Sequence, residues 1–159
     1  MAEAAISPPE EERIARAVGR GVRRALGDLG YGTVCELVLA SGRRADVAAI
    51  DRRGEIVIVE IKSSLADLRA DVKWPEYRDF CDALYFAVPP GFPLDVLPAE
   101  TGILVADAFG AALLREAPRH PLPPARRRAT TLRFAIAASL RLGRLEDPGR
   151  PDLESTLLT

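Results

Sequence analysis

The sequence predicts an α/β domain whose elements run helix, three strands, helix, strand, and three observations carry the prediction. Residues 10 to 28 repeat apolar side chains at helical spacing. Residues 34 to 62 form three strand runs separated by short glycine-containing turns. A capped helix then leads to a fully apolar strand at 83 to 88. With 159 residues, 48% of them apolar, one domain around one core is expected. Its limits are set at 10 and 144, with residues 1 to 9 and 145 to 159 expected to be disordered for want of periodicity.

The first helix opens at Ser7-Pro8-Pro9, where Ser7 is a candidate cap ahead of three glutamates. Ile14, Val18, Val22, Ala25 and Leu29 share one side of its wheel. Arg13, Arg16, Arg20, Arg23 and Arg24 lie opposite, a stripe that reads either as a solvated face or as a phosphate-contacting one. Gly27 to Gly32 turns the chain into a strand over 34 to 40, and Ser41-Gly42 turns it again. Residues 43 to 51 and 55 to 62 flank Arg52-Arg53-Gly54, a connection that makes an antiparallel hairpin. Pairing Asp51 with Glu55 places Ala48 opposite Ile58, Asp46 opposite Glu60 and Arg44 opposite Lys62, all on one face.

Beyond Lys62, Ser64 and Asp67 are spaced as a capping box, and Leu65, Leu68 and Val72 form the apolar side of the helix they open. Pro75 kinks or restarts that helix, and Trp74 and Phe80 read as core. Strands follow at 83 to 88, 102 to 106 and 111 to 116, separated by proline-rich connections. A last helix over 125 to 142 turns Leu132, Ile136 and Leu140 inward. Its opening Arg126-Arg127-Arg128 opposes the helix dipole, which suggests an external anion or a solvated basic turn.

The charged end of the hairpin carries the chemistry. Opposed side chains in an antiparallel pair lie about 5 Å apart at Cβ, and two carboxylates there repel. A shared divalent cation offsets that repulsion, and oxygen ligands select Mg²⁺ or Mn²⁺. Of 22 basic residues only Lys62 and Lys73 are lysine. A compact ammonium at Lys62 can orient a water or meet one phosphate oxygen, which a planar guanidinium does not replace. The composition also excludes several classes. His120 is the only histidine, so histidine-dependent phosphodiester chemistry is absent. No Walker A or dinucleotide glycine pattern occurs. Cys35 and Cys81 read as buried thiols. Without an 18-residue apolar span or a signal-peptide pattern, a cytoplasmic protein with no membrane association is expected. The net charge of -1 says little about partners.

Asp46 followed by Glu60-Ile61-Lys62 resembles the motif of the PD-(D/E)xK nuclease superfamily, with Ala45 where that motif has proline. The segments SGRRADVAAID, VEIKSS, RADVKWPEYRD and LRFAIAASLRL are similar to the MmcB-type family of small bacterial DNA repair proteins, a resemblance spanning roughly residues 12 to 144. It implies a restriction-endonuclease-like αβββαβ core with a central mixed sheet flanked by helices. It implies Mg²⁺ or Mn²⁺ held by Asp46, Glu60 and the Ile61 carbonyl, with Lys62 as the third catalytic residue. Many superfamily members place another acid in the first helix; here Glu12 or Glu36 is the candidate further ligand. Lys73 and Tyr77 resemble the polar-x-x-x-Tyr pattern of RecB-like nucleases. DNA is the expected partner, through Arg13, Arg16, Arg20, Arg44, Ser64, Lys73, Tyr77, Arg126 and Arg127. Three functions stay open: a metal-dependent DNA nuclease acting in repair, a catalytically silent DNA-binding factor of the same fold, and a module recruiting other repair or translesion-synthesis proteins.

Overall fold

The computed structural model describes residues 7–159; the expectation of disorder over 1–6 lies outside the described residues. Helix α1 spans Glu10–Asp28, followed by β1 Gly32–Val38, β2 Arg44–Ile50 and β3 Ile56–Ile61. Short helix α2, Leu65–Ala70, and a 3₁₀ segment, Trp74–Phe80, lead to β4 Ala83–Val88, β5 Gly102–Ala106 and β6 Ala111–Arg115. Helices α3, Pro124–Glu146, and α4, Glu154–Leu158, complete the chain. The strands form one six-stranded sheet in sequential order. β3, β4 and β5 run parallel, while β1 and β2 join on one side and β6 on the other as antiparallel strands. This is the mixed sheet flanked by helices that the family resemblance implies.

Alternation along β2 and β3 divides the core. Val47, Ala49, Val57 and Val59 meet Val18, Val22 and Leu26 of α1 on one face. Ala48, Ile56 and Ile58 meet Phe80, Leu122 and Ala137 on the other, beneath α3. Burying Val18, Val22 and Leu26 contributes roughly 1.5–3 kcal/mol each, enough to decide which side of α1 faces inward. Gly21 sets the distance of approach, because a Cβ there would stand 1.9 Å from the Asp107 carbonyl oxygen. The helix thus lies directly on the β5–β6 turn. No helix among the described residues is long and apolar enough to cross a membrane.

Several sequence-derived expectations are corrected. Ser7 does not cap α1; Pro9 occupies that position without a side-chain hydrogen bond. Leu29 is 70% exposed because the helix has ended, and Leu26 takes the inward position instead. Strand β1 begins two residues early and ends at Val38, since Leu39 and Arg43 close the turn with a backbone bond. Val72 lies past the end of α2 and is 77% exposed. Helix α2 itself ends at Ala70, and Pro75 opens the 3₁₀ segment as the restart expected of it. In α3, Leu132 faces solvent, while Thr130 and Ala137 are buried. The tail expected to be disordered after residue 144 is ordered by long-range contacts. Leu158 is buried, and Arg141 and Arg144 pair with Glu154 and Asp152.

Candidate functional site

The hairpin register follows the turn. Gly54 takes φ 82° in the connection, and Ala48 pairs with Ile58 as counted from the sequence. The backbone ladder stops after Val47 and Val59, so Arg44 and Lys62 are not paired. Side chains take over at that point. The Asp46 N–H donates to Glu60 Oε1 at 3.0 Å, and the Ile61 N–H donates to Asp46 Oδ2 at 2.7 Å. Each carboxylate thus accepts from the opposite strand, leaving Asp46 Oδ1 and Glu60 Oε2 uncommitted to the backbone.

Burial and the neighbouring Asp46 charge push the Glu60 carboxyl up to about 9. Burial raises Asp46 as well, against the opposing pull of the Ile61 N–H and the Lys62 ammonium. This is the behaviour of two acids sharing one site. Lys62 is 5% exposed, and its backbone N–H is held by the Ala87 carbonyl of β4. Burial alone would lower its affinity for a proton, but Asp71, with Nζ to Oδ2 at 2.7 Å, outweighs burial and holds the ammonium charged. Asp67 stands 3.9 Å from the same nitrogen. Tyr77 donates to the Arg44 carbonyl at 3.0 Å; burial and the two acids raise its phenol, which stays protonated.

These groups open onto a cleft of about 1290 Å³. One wall is α1, through Glu12, Arg16, Gly19, Arg20 and Arg23; Glu36, Arg43, Arg44, Asp67, Asp71 and Tyr77 are among the other residues that line it. Arg20 and Arg23 have no carboxylate partner among the described residues, whereas Arg16 pairs with Glu12 and Arg43 with Glu76. The fold therefore brings together Asp46, Glu60, Ile61, Lys62, Arg16, Arg20, Arg44 and Tyr77.

Other predicted residues lie elsewhere. Arg13 and Lys73 are exposed and outside the lining. Ser64 is engaged in capping α2, accepting from the Asp67 N–H at 3.1 Å. Arg126 stacks 4.8 Å from the Phe80 ring. Arg127 makes a forked contact to Asp82 at 2.5 and 2.7 Å. Since Asp82 meets the Ile56 end of β3, these two arginines serve the sheet's opposite end. The two candidate further ligands both line the cleft, with Glu12 paired to Arg16 and Glu36 lying 3.7 Å from Arg44. Sequence reasoning missed Asp67 and Asp71 as neighbours of Lys62. Asp67 lies in the first turn of α2, where the capping box places it, whereas Asp71 lies past the helix end, where no local pattern places it.

The donor set fits a hard cation in type, two carboxylates, Glu60 buried and Asp46 half-buried, each with an oxygen uncommitted to the backbone, which a positive charge would relieve of repulsion. Among the described residues no three or more His, Cys, Asp or Glu side chains converge as a metal cluster, so further coordination would come from backbone or water.

A sequence model described as DNA repair protein MmcB-like matches residues 3–149. The solved structure of the SPO1766 protein of unknown function from Silicibacter pomeroyi superposes with a TM-score of 0.84 at 42% identity, covering 92% of this chain and 97% of that one. No curated protein matches.

Proposed function

Because the chain belongs to the MmcB-like family of DNA repair proteins, we propose that the cleft is the active site of a metal-dependent DNA phosphodiesterase with a restriction-endonuclease-like core. The observation that carries this reading is the Asp46–Glu60 pair, whose oxygens uncommitted to the backbone line an arginine-walled cleft together with a charged, buried lysine. Asp46 and Glu60, with the Ile61 carbonyl, would hold Mg²⁺ or Mn²⁺. When bound, that ion supplies a Lewis acid for the phosphate and offsets its charge.

The protein's own groups do the rest. Arg20 and Arg23, with no carboxylate partner among the described residues, are available to phosphate oxygens of the DNA backbone. Lys62 is kept protonated by Asp71, so it acts as a positive charge toward the attacking water and the developing oxyanion rather than as the base. Burial makes that charge more effective than it would be in water. The sequence carries no classical base-reading motif, which suits recognition of DNA structure and backbone over sequence.

A second reading is favoured by a specific contact. Asp71 engages Lys62 directly, and α1 carries no acid between its opening turn and Asp28 at its end, as suits a DNA-binding factor that does not cleave. Branched, gapped and single-stranded DNA incubated with Mg²⁺ or Mn²⁺ separates the two. Under the nuclease reading wild type cuts, and Lys62→Met loses at least ~100-fold in rate while DNA affinity changes less than about tenfold. If wild type cuts none of these substrates, or the variant cuts equally well, the binding-factor reading replaces hydrolysis. In parallel, Mn²⁺ is expected to raise thermal stability, and Asp46→Asn or Glu60→Gln to abolish the rise.

A further inference from the structure

Strand β1 breaks at one residue, and the break lies beside the acid pair. The β1–β2 register runs from Gly32↔Ile50 to Cys35↔Val47 and resumes at Leu37↔Ala45, omitting Glu36 and Asp46. Glu36 is the only non-glycine residue at positive φ among those described, at 50°. For a residue with a Cβ this conformation is uncommon and needs support from its surroundings. The break also reverses the alternation of both strands. Val34 and Leu37 fall in the same core, as do Ala48 and Ala45, although a regular strand would send the members of each pair to opposite faces.

The support comes from across the sheet. Arg141 of α3 donates through Nη1 to the Cys35 carbonyl and through Nη2 to the Glu36 carbonyl, the latter at 3.1 Å. The guanidinium is held in turn by Glu154 of α4, with Nε to Oε2 at 2.9 Å and Nη2 to Oε1 at 2.5 Å. In an unbroken ladder the Glu36 carbonyl would be the natural acceptor for the Asp46 N–H. Here the carbonyl belongs to Arg141, and the N–H has turned to Glu60 Oε1. The two exchanges are halves of one arrangement.

We propose that Arg141, braced by Glu154, is a positioning residue for the acid pair: by taking the Cys35 and Glu36 carbonyls it releases the Asp46 N–H to fix Glu60. The tail carrying Glu154 thereby belongs to the site, although it touches neither carboxylate. The metal-related half of this inference rests on the cation reading above; the backbone half does not.

Two variants and two readouts test it. Arg141→Met keeps the apolar stem and removes the fork, while Glu154→Gln weakens the brace and leaves the arginine in place. The first readout is amide hydrogen exchange at Asp46, compared with Ala49 and Val59 in the neighbouring core. The second is the Mn²⁺ concentration giving half the maximal rise in thermal stability. Arg141→Met is expected to speed exchange at Asp46 at least ~10-fold relative to Ala49 and Val59 and to raise the Mn²⁺ midpoint by a similar factor. Glu154→Gln is expected to move both the same way by less, and Glu154→Asp to recover part of the loss.

Wild-type exchange at Asp46 in both variants overturns the proposal. So does uniformly faster exchange at all three amides, which would mark a merely structural role. If Arg141→Met does not fold, Glu154→Gln decides on the same criteria. If wild-type protein does not respond to Mn²⁺, the cation reading fails while the exchange result still decides the positioning role.

Discussion

Glu60 sits where the strand pattern calls for an apolar side chain, 3% exposed and across from a second acid. Its carboxyl is useful to the fold only as an acceptor for the Asp46 N–H. Glu60→Gln retains that acceptor and replaces a carboxyl that burial beside Asp46 already pushes toward its neutral form. Metal-free stability in urea is therefore expected to stay level or rise by up to ~1 kcal/mol. A clear fall in stability would mean the paired acids stabilise the fold without an ion. The opposition of these residues was legible in the sequence because Arg52-Arg53-Gly54 fixes the register, and counting from the turn reaches Asp46 and Glu60 without ambiguity. The partner of Lys62 was not legible, since Asp71 reaches it through the end of α2, and no local pattern announces where a short helix stops. Glu36 gave no signal at all, because its left-handed conformation depends on an arginine 105 positions away.

Among the elements, Asp82 holds together pieces that are remote in sequence. It accepts from the N–H groups of Ile56 and Leu122 at 2.8 and 2.9 Å and from the Arg127 fork, joining β3, β4, the proline-rich connection and α3. Burial would raise its carboxyl, but these donors prevail and hold it below the usual carboxylate range. A group depressed in the folded state contributes stability that is complete above its unfolded value, near about pH 4, and is lost as pH falls through the lower folded value. Urea midpoints measured from neutral pH down to about pH 2 are expected to decline in the acid limb, with a shallower decline in Asp82→Asn. At neutral pH that variant is expected to be less stable by about 3 kcal/mol, because Arg127 loses its charge partner. An unchanged acid limb would assign the pH sensitivity to other carboxylates. The arginine cluster at the start of α3 read in sequence as either an anion site or a solvated basic turn. The partner of Arg127 comes from a residue 45 positions earlier, a pairing that helical periodicity does not encode.

For the molecule as a whole, α1 offers the cleft a wall with Arg20 and Arg23 unpaired by carboxylates among the described residues and Arg16 shared with Glu12. If these arginines meet phosphates, the logarithm of DNA affinity falls with the logarithm of salt concentration. Replacing Arg16, Arg20 and Arg23 by alanine then lowers that slope by roughly one for each phosphate no longer neutralised. A slope equal to wild type's would return the wall to solvent. The same layout marks the boundary of what sequence could give. The helix–sheet order and the long strands follow from periodicity, whereas the ordered tail depends on Arg141, Arg144 and Leu158 finding partners that exist only once the sheet is built.

The placement of β3 has a further consequence. Its run Ile56–Ile61 is nearly all apolar, and its neighbour β4 arrives only after α2 and the 3₁₀ segment have been traversed. Until then one edge of a sticky strand stands open, the condition under which chains join each other instead of folding. Arg52, Arg53 and Glu55 on one side, with Glu60 and Lys62 on the other, interrupt that run with charge. The residues proposed for chemistry therefore also guard solubility before the native state exists. Refolding the double variant Glu60→Gln, Lys62→Met from urea is expected to yield less soluble protein than wild type as concentration rises, even where its folded form is equally stable; equal recovery at every concentration would confine those charges to the finished cleft.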